Sequence, residues 1–306
     1  LQDYDQDEVI AFFNEMEIKS LIKELPNGRA RAASAAPAAG SDPAPAASDD
    51  GQMALFAFDN DEATATASGI APIAPAAEMP YLIVQDETAL HALVALLQTA
   101  ERISFDVETD STDAMAATLV GVGVAWAPGK AAYIPIAHTS GEQLPWDVVR
   151  AALQPFFADA AIPKLAHNAK YDLTVLLNNG LDVQGAIHDT MVLAFLLDPA
   201  SRTLGLKAQA QERLGWQMTE IASLIGTGKK QFTIDAVAIE TVAAYCGADV
   251  DATIQLFEIL VPKVKHEGMW ELYETVELPL LPVLTEMERT GVLLDVPFLA
   301  VMSEEL

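Results

Sequence analysis

Four things are scarce in this sequence, and each shortage closes off a class of protein. There is one cysteine, Cys246. A lone thiol excludes an internal disulfide framework and a thiolate zinc cluster, and it suits a reducing, cytoplasmic setting. The five histidines, His91, His138, His167, His188 and His266, show no metal-site spacing of the HExxH kind. No apolar run reaches the roughly 18 residues of a membrane span, so no membrane partner is expected. The opening "LQDYDQDEV" is not a basic-then-apolar signal peptide and reads as if cut from something longer. Bases are the fourth shortage. Lys and Arg number 17 against 44 Asp and Glu, a net charge of −27.

Taken alone, that charge argues against nucleic acid as a partner, because phosphate affinity comes from Lys and Arg. The distribution softens the objection. Residues 1–100 hold 16 acids and 4 bases, residues 101–260 hold 19 and 10, and residues 261–306 hold 9 and 3. The middle section is the least acidic per residue. A metal-dependent site also needs acids, and a bound cation inverts the local field.

The chain of 306 residues has room for one large domain or two ordinary ones. Residues 1–25 carry Val9, Phe12, Phe13, Met16, Leu21 and Ile22 at helical spacing, and Pro26-Asn27-Gly28 stops the pattern. Residues 26–78 are rich in Ala, Pro, Ser and Asp, a composition that reads as a disordered linker. From Tyr81 the pattern is globular. "YLIV", Ile103–Val107, Leu119–Trp126, Ala131–Ile136, "IPKLAH" and Ala186–His188 read as strands. Helices are expected after Asp86, from Pro145, from Asn168 to about Asn179, over Thr190–Leu197, over Leu206–Leu214, and over about Ala236–Leu260, ending before Pro262. The alternation suggests a mixed sheet with helices on both faces.

Three segments carry chemistry. The first, "FDVET", puts Asp106 and Glu108 on one face at a strand end. Two anions about 4 Å apart repel by roughly 4 kcal/mol at an effective dielectric near 20. A protonated acid, a paired base or a shared cation relieves that. The nearest base in sequence is Arg102. Oxygen ligands without His or Cys suit Mg²⁺ or Mn²⁺. Alone, the pair reads first as a solvated strand end followed by an acidic loop. The second, "HNAKYD", opens a helix at the carboxyl end of a strand, where ligands bind in open α/β sheets. Asn168 reads as the cap, Asp172 shares its helix face, and Lys170 could reach a phosphate. The third, "YCGADVD", places Tyr245 and Asp249 one helical turn apart with small residues between. It also reads as an amphipathic helix with a buried phenol bonded to a carboxylate. Cys246 reads as a small core residue, Asp189 as a cap and Asp251 as solvated.

In this order, the strand DxE, the helix-opening HNxKYD and the helical YxxxD resemble the three motifs of the DnaQ-like 3′→5′ exonucleases with a terminal tyrosine (the DEDDy group). The likeness is closest to the proofreading domain of bacterial family-A DNA polymerases. It implies an α/β, ribonuclease H-like fold, with a mixed five-stranded sheet flanked by helices. It also implies two Mg²⁺ (or Mn²⁺) ions held by Asp106, Glu108, Asp172 and Asp249, with Tyr245 orienting the attacking water. Thr109 falls beside that site, and Asn168, Lys170 and Arg202 fall where the family contacts a single-stranded DNA 3′ end. "AFFNEMEIKSLIKEL" is similar to the tail of a 5′-nuclease domain, and "LLPVLTEMERTGVLLD" to the start of a polymerase domain. The organisation implied is 1–25 nuclease tail, 26–78 linker, 79–262 exonuclease domain and 263–306 truncated polymerase start, with the remainder of the polymerase chain as a partner. Polymerase chemistry is not expected of these residues. The localisation implied is bacterial, cytoplasmic and nucleoid-associated. An RNase D-like RNA exonuclease shares the three motifs, and a non-catalytic spacer domain of the polymerase is the other alternative. Within the linker, "QMALF" resembles the pentapeptide that docks on the bacterial sliding clamp, with Gln52 as polar anchor and Leu55 and Phe56 as apolar plugs.

Overall fold

The computed structural model describes residues 81–228 and 231–305. The helix expected in residues 1–25, the linker, Gln52, Leu55 and Phe56, and the bases Lys229 and Lys230 lie outside the described residues.

Strand β2 (Ile103–Thr109) shows how the sheet arises. Ile103, Phe105 and Val107 alternate with Ser104, Asp106 and Glu108, so the strand has one apolar and one polar face. β3 (Leu119–Ala127) runs antiparallel beside it, with Phe105 opposite Val124 and Val107 opposite Val122. Those four side chains join one buried cluster, where Phe105 meets Phe157 edge-on at 5.6 Å between ring centroids. On the other face Asp106 stands opposite Gly123, and Glu108 opposite Gly121. The register slips between Glu108 and Thr109, a bulge that ends regular pairing just past the two acids.

β4 (Lys130–Pro135) follows β3 through a tight turn at Pro128-Gly129, and Gly129 takes a φ of 71° there. β5 (Lys164–Ala166) and β6 (Ile187–Asp189) extend the sheet in parallel from β2. All six segments read as strands join the sheet, β1 (Leu82–Ile83) included, in the order β1-β4-β3-β2-β5-β6, one more than the five-stranded sheet that the resemblance implied. β1 pairs parallel with β4. It is two residues long, and its partner lies 50 positions on, so its place in the sheet left no local sequence signal.

Helices α1 (Glu87–Leu97), α2 (Trp146–Phe157) and α3 (Ala169–Asn178) bury Leu93, Leu153 and Leu176 in the cluster that holds Phe105. Asp86 caps α1 by accepting from the Ala89 N–H at 2.8 Å. After α4 (Thr190–Leu197), α5 (Leu206–Leu214) and α6 (Ile221–Ile225), the long α7 (Ile239–His266) crosses the opposite face. There Cys246, Val250 and Ile254 pack on Tyr133, Ala125 and Leu165.

Two expectations about α7 are corrected. Pro262 does not end it; the helix runs four residues further. Leu260 and Val264, on either side of the proline, are fully buried with Tyr273, and that packing offsets the missing N–H. Asp251 is not solvated but fully buried. It accepts from the Gly129 N–H (2.8 Å), the Tyr81 hydroxyl (3.1 Å) and Gln255 Nε2 (2.8 Å). Gly247 has a packing reason, since a Cβ there would lie 2.3 Å from the Tyr81 ring. Beyond α7, Trp270–Leu272 passes through a π-helical segment, Tyr273–Glu277, into α8 (Leu278–Thr290) and then α9 (Val296–Glu305). No helix among the described residues is long and apolar enough to cross a membrane.

Candidate active site

The polar face of β2 is the floor of the site. A Cβ on Gly123 would lie 2.5 Å from Cys246 Sγ, and one on Gly121 would lie 2.0 Å from the Tyr133 hydroxyl. The two glycines therefore let α7 and Tyr133 close down beside Asp106 and Glu108. Asp172, in the first turn of α3, turns inward, and its Oδ1 accepts from the Val107 N–H at 3.0 Å. That bond fixes α3 to the strand between the two β2 acids. Tyr245 and Asp249 come from the polar stretch of α7, one turn apart. Ligand atoms of Asp106, Glu108 and Cys246 lie within 4.8 Å of one another. Asp172 and Asp249 flank that trio, each close enough to feel its charge. The structure thus brings Asp106, Glu108, Asp172, Tyr245 and Asp249 to one place.

The electrostatics are those of crowded, buried anions. Burial, then the charge of Asp249, pushes the Asp106 carboxyl up to about 7. Burial, then Asp106, holds Glu108 well above the usual carboxylate range. Asp172 is raised for the same two reasons, and Asp249 chiefly by burial. Burial also raises the Tyr245 phenol, which favours a hydrogen-bond donor over a base. The Cys246 thiol is pushed well up by burial and the neighbouring acids, so it stays protonated and donates to Asp106 Oδ2 at 3.6 Å. A neutral thiol is no competitor for a hard cation. Glu108 Oε1 is buried with no hydrogen-bond partner. An orphaned carboxylate oxygen on a residue that feels the charges of Asp106 and Asp249 fits a divalent cation held by oxygen ligands.

Sequence reasoning missed one member. Lys207, near the start of α5, forms an ion pair with Asp249, and its ammonium lies 4.1 Å from the centre of the Tyr245 ring. Arg102, the base nearest in sequence, instead reaches Glu101 and Glu258. No spacing rule links Lys207 to Asp249, 42 positions away. The one available signal was the charge balance, since four acids without a nearby base call for a distant one.

The residues expected at the DNA end are placed as follows. Asn168 is exposed and takes a left-handed φ of 64°, and its side chain makes no capping bond. Asp189 does that work instead. It accepts from the N–H groups of Asn168 (3.0 Å), just before α3, and Ala169 (2.9 Å), its first residue, and from that of Met191 (2.8 Å) on α4. With Asn168 outside the helix, it does not share a helical face with Asp172. Lys170 forms an ion pair with Glu288 of α8. Arg202 is exposed on the segment between α4 and α5. Thr109 Oγ1 lies 2.5 Å from the Tyr171 hydroxyl and donates to the Ser111 carbonyl at 2.9 Å.

A family model described as 3'-5' exonuclease matches residues 81–265, and the chain belongs to that family. Within it, the chain is similar to DNA polymerase I of Chloroflexus aurantiacus, with 39% identity over 302 residues. That match covers 97% of this chain and 31% of the relative, so the chain spans about a third of that protein's length. Among solved structures, the POL domain of Pol1 from M. smegmatis, complexed with DNA primer-template and dNTP, shares the fold at a TM-score of 0.58 and 22% identity. That likeness covers 73% of this chain and 34% of the other. Escherichia coli RNase D, an exoribonuclease involved in structured RNA processing, shares it at a TM-score of 0.54 and 19% identity, over 70% of this chain and 51% of that one. The mixed sheet flanked by helices is thus the fold of ribonuclease H-like exonucleases.

Proposed function

We propose that the domain over residues 79–262 removes deoxynucleoside 5′-monophosphates from a single-stranded DNA 3′ end, as the proofreading part of a family-A polymerase chain. The observation that carries this reading is the gathering of four buried or half-buried acids, one of which, Glu108, keeps a buried carboxylate oxygen without a hydrogen-bond partner, in a member of the 3'-5' exonuclease family. Asp106, Glu108, Asp172 and Asp249 would hold two Mg²⁺ or Mn²⁺ ions. Bound there, the ions supply the positive charge that activates water and stabilises the leaving 3′ oxygen. The chain's own residues position the reaction. β2 and α3 are locked together by the Asp172 to Val107 bond, so the acids keep their spacing. Tyr245, with its proton firmly held, donates a hydrogen bond that orients the attacking water. Asn168, Lys170 and Arg202 border the path expected for the 3′ end.

The remainder of the polymerase would be the neighbour of residues 263–306. Val296, Phe298, Leu299 and Val301 on α9 are exposed, which supports that reading. The likeness to RNase D is one of fold and does not decide between DNA and RNA. The test uses the full chain with 5′-labelled single-stranded DNA, and the same sequence as RNA. Stepwise shortening of DNA that needs Mg²⁺ is expected, falling by about a hundredfold to a thousandfold in Asp106→Ala. Undiminished activity in that variant rejects the assignment, and preference for RNA moves it to the RNase D side.

A further inference from the structure

We propose that Lys207 is a built-in counter-cation of the acid cluster, holding Asp249 while metal is absent and yielding its place when a divalent ion binds. The inference rests on the metal-binding reading above. Lys207 is the second residue of α5, which follows Gly205 and an exposed stretch at Arg202–Thr203. From there its stem crosses to α7, where the ammonium meets Asp249 Oδ1 and lies over the face of Tyr245. Lys207 is the base whose charge acts on Asp106, Glu108 and Asp249.

Two physical points favour a replaceable cation over a permanent strut. The first is charge. One ammonium cannot balance four crowded carboxylates, whereas divalent ions can, so the ions have the stronger claim on Asp249. The second is the residue type. A lysine is a point charge on a flexible four-carbon stem, and rotating that stem frees the carboxylate at little structural cost. The side chain is 21% exposed, so the ammonium has a way out towards water. The Tyr245 ring offers it a resting surface without a directional bond to break. The carboxylates of Asp106, Glu108 and Asp249 all feel the Lys207 charge, which opposes the effect of their burial.

The test is calorimetric titration of Mn²⁺ into the full chain, with melting temperatures recorded in EDTA and in saturating Mn²⁺. Lys207→Met and Lys207→Gln are expected to bind Mn²⁺ roughly tenfold more tightly than the parent, the factor for one modest competing charge contact. Both should melt below the parent in EDTA and match it in saturating Mn²⁺. A Lys207→Arg chain should keep the parent's melting temperature in EDTA and gain no Mn²⁺ affinity. Equal Mn²⁺ affinity across parent, Met and Gln chains overturns the proposal, as does a melting deficit that persists in saturating Mn²⁺, which marks a structural strut. If the parent binds Mn²⁺ no better than Asp106→Ala, the metal site itself fails, and this proposal fails with it.

Discussion

The two faces of β2 are made of adjacent residues and obey opposite rules. Phe105 and Val107 point into a continuous apolar cluster, against Val124, Val122 and Phe157. Asp106 and Glu108, next along the chain, point to the side where two glycines let a thiol and a phenol close in beside the acids. The first face holds the fold together. The second is a place where folding costs free energy, because anions are brought out of water and towards one another. The apolar face makes that cost tolerable.

Substitutions on the two faces should therefore separate stability from activity. The largest loss of stability is expected for Phe105→Ala, about 3–5 kcal/mol in denaturant unfolding, from the lost burial and the cavity left beside Phe157. A loss under about 1 kcal/mol would mean that this face is not the main support. Gly123→Ala lies across the strand pair from Asp106, where a Cβ would press on Cys246 Sγ. We expect it to cost about 1–3 kcal/mol and to lower nuclease activity as well, since α7 must move. Full activity in a folded Gly123→Ala protein would show that the spacing of α7 and β2 is not critical.

The smallest effect should have the opposite sign. The Asp106 carboxyl is raised to about 7 in the folded chain, against 3.8 for an ordinary one. Between about pH 4 and 7 the folded state therefore holds this proton more tightly than the unfolded chain does. In EDTA the contribution of Asp106 to stability is highest below pH 4 and is lost as the pH rises through 7. His167 and His188, both lowered to about 4 by burial, act the other way and cost stability as the pH falls from 6.5 towards 4. Asp106→Asn removes the first trend, together with the like-charge push on Glu108 and Asp172, and leaves that of the histidines. At pH 8 in EDTA it should be more stable than the parent by on the order of 1 kcal/mol, with the gap closing towards pH 4. A gap that does not change with pH would place the cost of Asp106 in something other than its charge.

Much of this contrast was legible in the sequence. The alternation in "ISFDVET" separates the two faces, and the likeness to the DEDDy exonucleases singles out the five residues that the fold gathers. Two of the misses share one physical origin. Spacing rules see along an element, whereas Lys207 and Asp251 act between elements, as Asp189 does when the cap read for α4 also serves α3. Lys207 joins α5 to α7, Asp189 caps two helices from the end of β6, and Asp251 ties α7 to the β3–β4 turn and to Tyr81. Pro262 is the converse case, since a local stop signal is overridden by the burial of Leu260 and Val264. Asn168 looked like a helix cap because the residue type suits one, but its backbone conformation takes the side chain out of that role.

The position of Tyr81 carries a mechanical consequence. Its ring fills the gap left by Gly247 and its hydroxyl holds Asp251, the residues two before and two after Asp249. Tension on the backbone leading into Tyr81 would thus be delivered to the very turn of α7 that carries Asp249. A pull at Tyr81 would therefore bear at once on the acid cluster, through α7, and on the sheet, through β1.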